Sequence, residues 1–181
     1  QAQILVEGVS RKYRQYRLYL PLFSQVENLK VVVSQGEIRP MPPHVMAQRA
    51  PIVFYGTSIT HGASASRPGL AYPAIIGRRL DYTVINLGFS GQGRMDLEMA
   101  RLLVELDPAA YVIECTANMK PREIAERTVP FVRTLRDARP QVPIVMVESP
   151  PHSKGKWVVS VARLDSLRGA HLSTALRQLS A

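Results

Sequence analysis

Four short apolar runs, each closed by a polar or glycine-rich turn, constrain this 181-residue chain more than any other feature. They are Ile52-Val53-Phe54-Tyr55, the run YTVIN ending at Asn86, the run AYVIEC ending near Thr116, and PIVMVE ahead of SPPHSKG. Each is too short for a helix and is rich in β-branched and aromatic residues, the pattern of buried strands in a parallel sheet. Amphipathic stretches lie between them. Tyr72-Pro73 opens a helix through PAIIGRRL, with proline at a permitted first-turn position. MDLEMARLLVEL carries Met95, Leu97, Met99, Leu102, Leu103 and Leu106, with acids near its start. PREIAERTVPFVRTLRDAR is a long helix expected to kink at Pro130. This alternation specifies a doubly wound parallel α/β sheet.

The two ends depart from that rhythm. Residues 1–38 (QILVEGV, YRQYRLYLPLF and LKVVVSQGEI) read as three strands with one wet face. Three strands are few for an independent unit, so this β-rich segment reads as an added edge or the end of a β-domain. Residues 39–50 hold three prolines and no periodicity, and read as a linker. Residues 51–181 form the α/β unit. Within it, WVVSVA reads as a fifth strand and RLDSLRGAHLSTALRQLSA as a helix. Sixteen of the last 25 residues are Leu, Ser, Ala or Arg, and the strand-turn-helix order is lost there.

Composition excludes several classes. No apolar run approaches the ~20 residues of a membrane span. The chain opens with Gln1 and shows no signal peptide, which leaves room for a start upstream. The lone Cys115 permits no internal disulfide, and its apolar strand suits a packed thiol. The net charge is +9, but it is concentrated at the ends: residues 1–48 carry six Lys/Arg against three acids, 49–148 twelve against ten, and 149–181 five against one. No basic stripe interleaved with aromatics is present, so nucleic acid is not an expected partner. The glycines of GFSGQG do not match the dinucleotide fingerprint, and GTSITHGAS lacks the lysine of a phosphate loop.

Three turns carry the chemistry. Gly56 ends the first strand, and Ser58 follows, between Thr57 and Thr60. As turn residues these three suit a helix cap. As residues just past a parallel strand, they also sit where open α/β sheets place their sites. Gly91 and Asn118 occupy equivalent turns after the second and third strands. Together the backbone N–H groups of Ser58 and Gly91 and the amide of Asn118 would supply three donors to a tetrahedral oxyanion.

The residues GTSIT, NLGFSGQG and TANM resemble the first three motif blocks of the SGNH/GDSL hydrolase superfamily of serine esterases and acyltransferases. FYGTSITHGASASRPGLAYPAIIGRRL and VINLGFSGQGRMD further resemble a bacterial subgroup in which a β-sandwich precedes the hydrolase domain. The resemblance spans roughly residues 12–150. It implies a flavodoxin-like three-layer α/β/α fold with strand order 2-1-3-4-5. It implies Ser58 as nucleophile, with Gly91 and Asn118 as oxyanion donors. It implies ester hydrolysis or acyl transfer without metal or cofactor, on a small ester or acylated carbohydrate.

Two departures accompany it. Thr57 replaces the acid of the usual GDS. The C-terminal Asp-x-x-His pair, which supplies acid and base, is degenerate. His171 has the expected place ahead of a last helix, but Arg168 stands where the Asp belongs, and Asp165 is the nearest acid. His44 lies in the linker. His61 and His152, with Thr57, are expected to line the cleft as substrate-binding residues. Residues 157–181 are then either a foreshortened end in which His171 still reaches Ser58, or a truncated or out-of-frame end lacking its base. The alternative function is an impaired α/β remnant acting as a binding module.

Overall fold

The computed structural model describes residues 6–10, 12–39 and 49–180. Four parallel strands form one sheet in the order β2-β1-β3-β4. They are β1 (Ile52–Gly56), β2 (Val84–Gly88), β3 (Ala110–Glu114) and β4 (Ile144–Met146). Gly56 is in register with Gly88 on one side and Glu114 on the other. The carboxyl ends of three adjacent strands are therefore level, which is what places their turns along one edge.

Five helices accompany the sheet: α1 (Ser58–His61), α2 (Tyr72–Leu80), α3 (Leu97–Leu103), α4 (Pro121–Ala138) and α5 (Val159–Ser180). Strand side chains alternate between faces. Val53, Tyr55, Tyr111 and Ile113 point into one core with Ala100, Leu103, Ile124, Phe131, Leu135 and Leu172 of α3, α4 and α5. On the other face Phe54 meets the Tyr72 ring of α2 edge-on at 5.6 Å. β1 is buried along its whole length, as a central strand covered on both faces must be. The result is the three-layer α/β/α arrangement that the alternation of runs predicts.

α4 continues through Pro130 to Ala138 as one element. Pro130 is exposed, so the carbonyl that its missing N–H leaves free is accessible to water.

The expected fifth strand does not form. Trp157 and Val158 lie in a turn, and the run from Val159 onward is the first turns of α5. Two physical reasons apply. β4 is only three residues long and offers little edge to pair with. From Ala162 onward Ala, Leu and Arg are strong helix formers, and they extend the helix back over the β-branched Val159 and Val161. The sheet accordingly has the 2-1-3-4 part of the expected order.

Among the described residues of 6–39 no strand ladder forms. The alternation in sequence is real, but Tyr13 and Val32 are more than four-fifths exposed and pair with no neighbouring strand. A strand is stabilised by its partners, and here there are none. One piece of this segment does dock: the Tyr19 hydroxyl accepts from Arg78 of α2 at 2.9 Å, beneath a cation–π contact at 5.2 Å. Most of the expected linker, with His44, lies outside the described residues.

Candidate active site

Thr57 leaves β1 in extended conformation and caps α1, its hydroxyl accepting from the Ile59 N–H at 3.2 Å. Ser58 is thereby the first helical residue. It is half-buried. Among the described residues neither its hydroxyl nor its backbone N–H has a hydrogen-bond partner.

The glycine turn lies directly against this one. The Phe89 N–H donates to the Gly56 carbonyl at 2.9 Å, and the Gln92 N–H closes the turn on the Phe89 carbonyl at 3.0 Å. Gly91 and Gly93 both have φ of +73°, a conformation that glycine adopts without penalty. A Cβ on Gly93 would stand 2.2 Å from the Gly56 carbonyl oxygen, so only glycine allows the two turns to touch. The Gly91 N–H is exposed and donates to no acceptor among the described residues.

Asn118 ends a 3-10 turn over Thr116–Asn118 after β3. One proton of its side-chain amide goes to the Gln92 carbonyl, which fixes the amide beside the glycine turn and leaves its second proton free. Ser58, Gly91 and Asn118, far apart in sequence, are thus joined through the ends of three neighbouring strands. Among the described residues the Ser58 and Gly91 N–H groups and the second amide proton of Asn118 make no hydrogen bond, and the three turns that carry them touch one another.

Beneath the Ser58 turn sits Glu114, 1% exposed, a residue that the sequence analysis passes over. Its Oε2 accepts from the Thr57 hydroxyl at 2.7 Å, the Thr57 N–H at 3.3 Å and the Thr60 hydroxyl at 3.1 Å. Its Oε1 accepts from the Ser149 hydroxyl beyond β4. Ser149 Oγ accepts in turn from the Thr116 hydroxyl and the Ala117 N–H, both at 2.8 Å. Since Thr60 donates to Glu114, the Tyr72 hydroxyl donates to Thr60, at 2.9 Å. Burial pushes the Tyr72 phenol up to about 12, against the Thr60 hydrogen bond that lowers it. The available signal was a lone acid inside the otherwise apolar run AYVIEC.

The expected substrate-facing side chains distribute differently. Thr57 is fully buried with its hydroxyl committed to Glu114 and Ile59, so it holds the turn rather than facing a ligand. His61 turns toward the N-terminal segment: its Nε2 donates to the Leu22 carbonyl at 2.5 Å, and its ring stacks on Phe23 at 4.0 Å.

The imidazole–carboxylate pair is not the expected one. Asp165 lies on α5 and binds His152, not His171. The His152 ring meets Asp165 through Nδ1 at 2.9 Å, and the His152 N–H donates to the second carboxylate oxygen at 2.8 Å. Arg168 also reaches Asp165, at 3.2 Å, and donates through Nε to the Met119 carbonyl at 2.9 Å. Burial raises the Asp165 pKa, but the two bonds from His152 and the bond from Arg168 outweigh it and hold the carboxyl below its ordinary value. His171, six positions further along α5, makes no hydrogen bond or ion pair among the described residues. Six residues is not a helical repeat, so Asp165 and His171 lie on different sides of α5. An open cavity of about 430 Å³ is lined by Ser149, His152, Ser153, Lys156, Asp165 and Ser166. Ser58 does not line it. Among the described residues no three His, Cys, Asp or Glu side chains converge as metal ligands would.

A family model for the GDSL-like lipase/acylhydrolase family matches residues 49–177. The chain belongs to that family. Among solved structures, this GDSL-like chain is similar to a Bacteroides ovatus protein described as a GDSL-like lipase: 39% identity, TM-score 0.71, covering 73% of this chain and 39% of that one. It shares its fold with a salicylyl-acyltransferase from a tetracycline biosynthetic pathway, at 19% identity and TM-score 0.64, over 73% of this chain and 39% of the other. It also shares it with a family two carbohydrate esterase from Clostridium thermocellum, at 18% identity and TM-score 0.50, over 71% and 50%. The GDSL-like chain thus spans well under half the length of the first two. No curated protein matches it. No helix among its described residues is long and apolar enough to cross a membrane.

Proposed function

We propose that the chain is a serine esterase or acyltransferase working through an acyl-enzyme on Ser58. The observation that carries this is the set of donors unused among the described residues: the N–H groups of Ser58 and Gly91 and the second amide proton of Asn118, on three touching turns at the ends of adjacent strands, one of which carries an unpartnered serine hydroxyl. In this mechanism Ser58 Oγ attacks the ester carbonyl carbon and its proton passes to an imidazole. The three donors hold the oxyanion that forms, the alcohol leaves with the proton, and water or a second alcohol reverses the sequence.

His152 is the imidazole best suited to the proton transfer. Asp165 on Nδ1 orients the ring and leaves Nε2 available, the relation that a base and its orienting carboxylate require. Such bonds to the nucleophile commonly tighten only with substrate bound. Small acyl esters, among them acylated carbohydrates, suit the exposed and polar surroundings. The acyltransferase and carbohydrate esterase of the same fold are consistent with that class. The 1–38 segment, β-patterned in sequence but without a strand among its described residues, the 39–50 linker and the 51–181 unit are the proposed organisation.

A second reading is a catalytically impaired α/β binding module. Two observations favour it: no imidazole is bonded to Ser58 Oγ among the described residues, and Arg168 occupies the place of the family's C-terminal Asp. Hydrolysis of p-nitrophenyl acetate separates the two. The esterase reading predicts turnover that Ser58→Ala abolishes and that Asn118→Ala lowers about 100-fold or more. It further predicts that His152→Ala removes turnover while His171→Ala retains it. Absence of Ser58-dependent turnover supports the binding module.

A further inference from the structure

We infer that Glu114 is a positioning residue for the proposed esterase reaction: one buried carboxylate that locks the Ser58 turn and the His152 turn to each other. The inference rests on the esterase reading and adds a residue to it. Thr57 and Thr60, which bracket Ser58, donate their hydroxyl protons to Oε2. Ser149, three residues before His152, donates to Oε1. The register Gly56↔Glu114 sets the carboxylate beside the end of β1. Thr57 stands where the family's usual first motif has an acid. Here an acid reaches that turn from the neighbouring strand.

The direction of every proton in this network is determined. Thr57 Oγ accepts from Ile59 and therefore gives its one proton to Glu114. Ser149 Oγ accepts from Thr116 and Ala117 and therefore also gives its proton to Glu114. The Ser149 N–H donates back to the Thr116 hydroxyl at 3.0 Å, closing the β3 and β4 turns on each other. All donors end on a group that only accepts. No lysine or arginine pairs with Glu114 among the described residues, so these hydrogen bonds alone offset its desolvation. A buried carboxylate is a costly way to fill a core position. What it supplies is a fixed spacing between two turns, and misplacement of reacting groups by ~1 Å costs about 100-fold in rate.

Glu114→Gln tests this directly, because the amide presents a donor where the network supplies only donors. Thr57→Val removes one of the connections, and Thr57→Ser restores it. Steady-state hydrolysis of p-nitrophenyl acetate is measured for all three and for the unmodified chain, with thermal unfolding alongside. For Glu114→Gln and Thr57→Val the expected result is a fall in kcat of about 100-fold with little change in KM. Thr57→Ser stays within about threefold of the unmodified chain. A Glu114→Gln protein that melts lower but keeps its kcat overturns the inference, since it shows a merely structural role. If Glu114→Gln does not fold, Thr57→Val decides: unchanged kcat there overturns the inference too. Unmodified protein without Ser58-dependent turnover defeats the esterase reading and this inference together. Turnover that is Ser58-dependent but indifferent to Glu114 and Thr57 defeats this inference alone.

Discussion

Cys115 follows Glu114 at the end of β3 and is wholly buried. Burial pushes its thiol up, and the Coulomb fields of Glu114 and Asp96 add to this against a backbone hydrogen bond from Met95. The thiolate, not the thiol, reacts. The folded chain should therefore leave Cys115 untouched by a disulfide exchange reagent at pH 8, with full reaction in denaturant; rapid labelling of the folded protein would contradict the packing described. At this scale the chemistry was unevenly legible. Ser58, Gly91 and Asn118 stood out because each closes a strand with a short-range turn signal. Glu114 did not, because its partners lie 57, 54 and 35 positions away. Only the fold brings them within reach.

α5 differs most from what its sequence suggests. Its apolar residues drift around the helix rather than forming one stripe, so no sheet-facing side can be read from them. Leu172 and Ala175 are nonetheless buried, Leu172 in the core shared with α3, α4 and the sheet. A buried leucine cut to alanine costs about 2–5 kcal/mol, depending on how far the site collapses. Leu172→Ala should accordingly lower the urea midpoint substantially, while Leu164→Ala, on an exposed position of the same helix, should change it little. Equal effects would mean that α5 does not pack as described. The strand expected at WVVSVA failed for a separate reason. β-branched residues favour a strand only where a ladder edge receives them, and the three-residue β4 provides almost none.

For the molecule as a whole, the Asp165 cluster ties α5 to the turns after β3 and β4. The Asp165 carboxyl is held below its ordinary value by His152 and Arg168 against the opposing effect of burial. An unfolded aspartate titrates near ~3.9. The stabilisation is thus fully present above that pH and is lost as pH falls through the lower folded value. Asp165→Asn should lower the urea midpoint at pH 7, and the gap between variant and unmodified chain should close as pH drops below ~4. A gap that persists unchanged at low pH would show that the pair does not act through charge. The pairing itself could not be read from sequence, because Asp165 has His152 thirteen residues before it and His171 six after it. Only the path of the chain out of β4 selects between them.

The central claim is that Ser58 is the nucleophile of an esterase site. Its most direct test is the intact mass of the chain after incubation with a fluorophosphonate, followed by peptide mapping. The esterase reading predicts a single adduct on the peptide carrying Ser58, absent from the Ser58→Ala protein. No adduct on the folded chain, or one that survives Ser58→Ala, would contradict it.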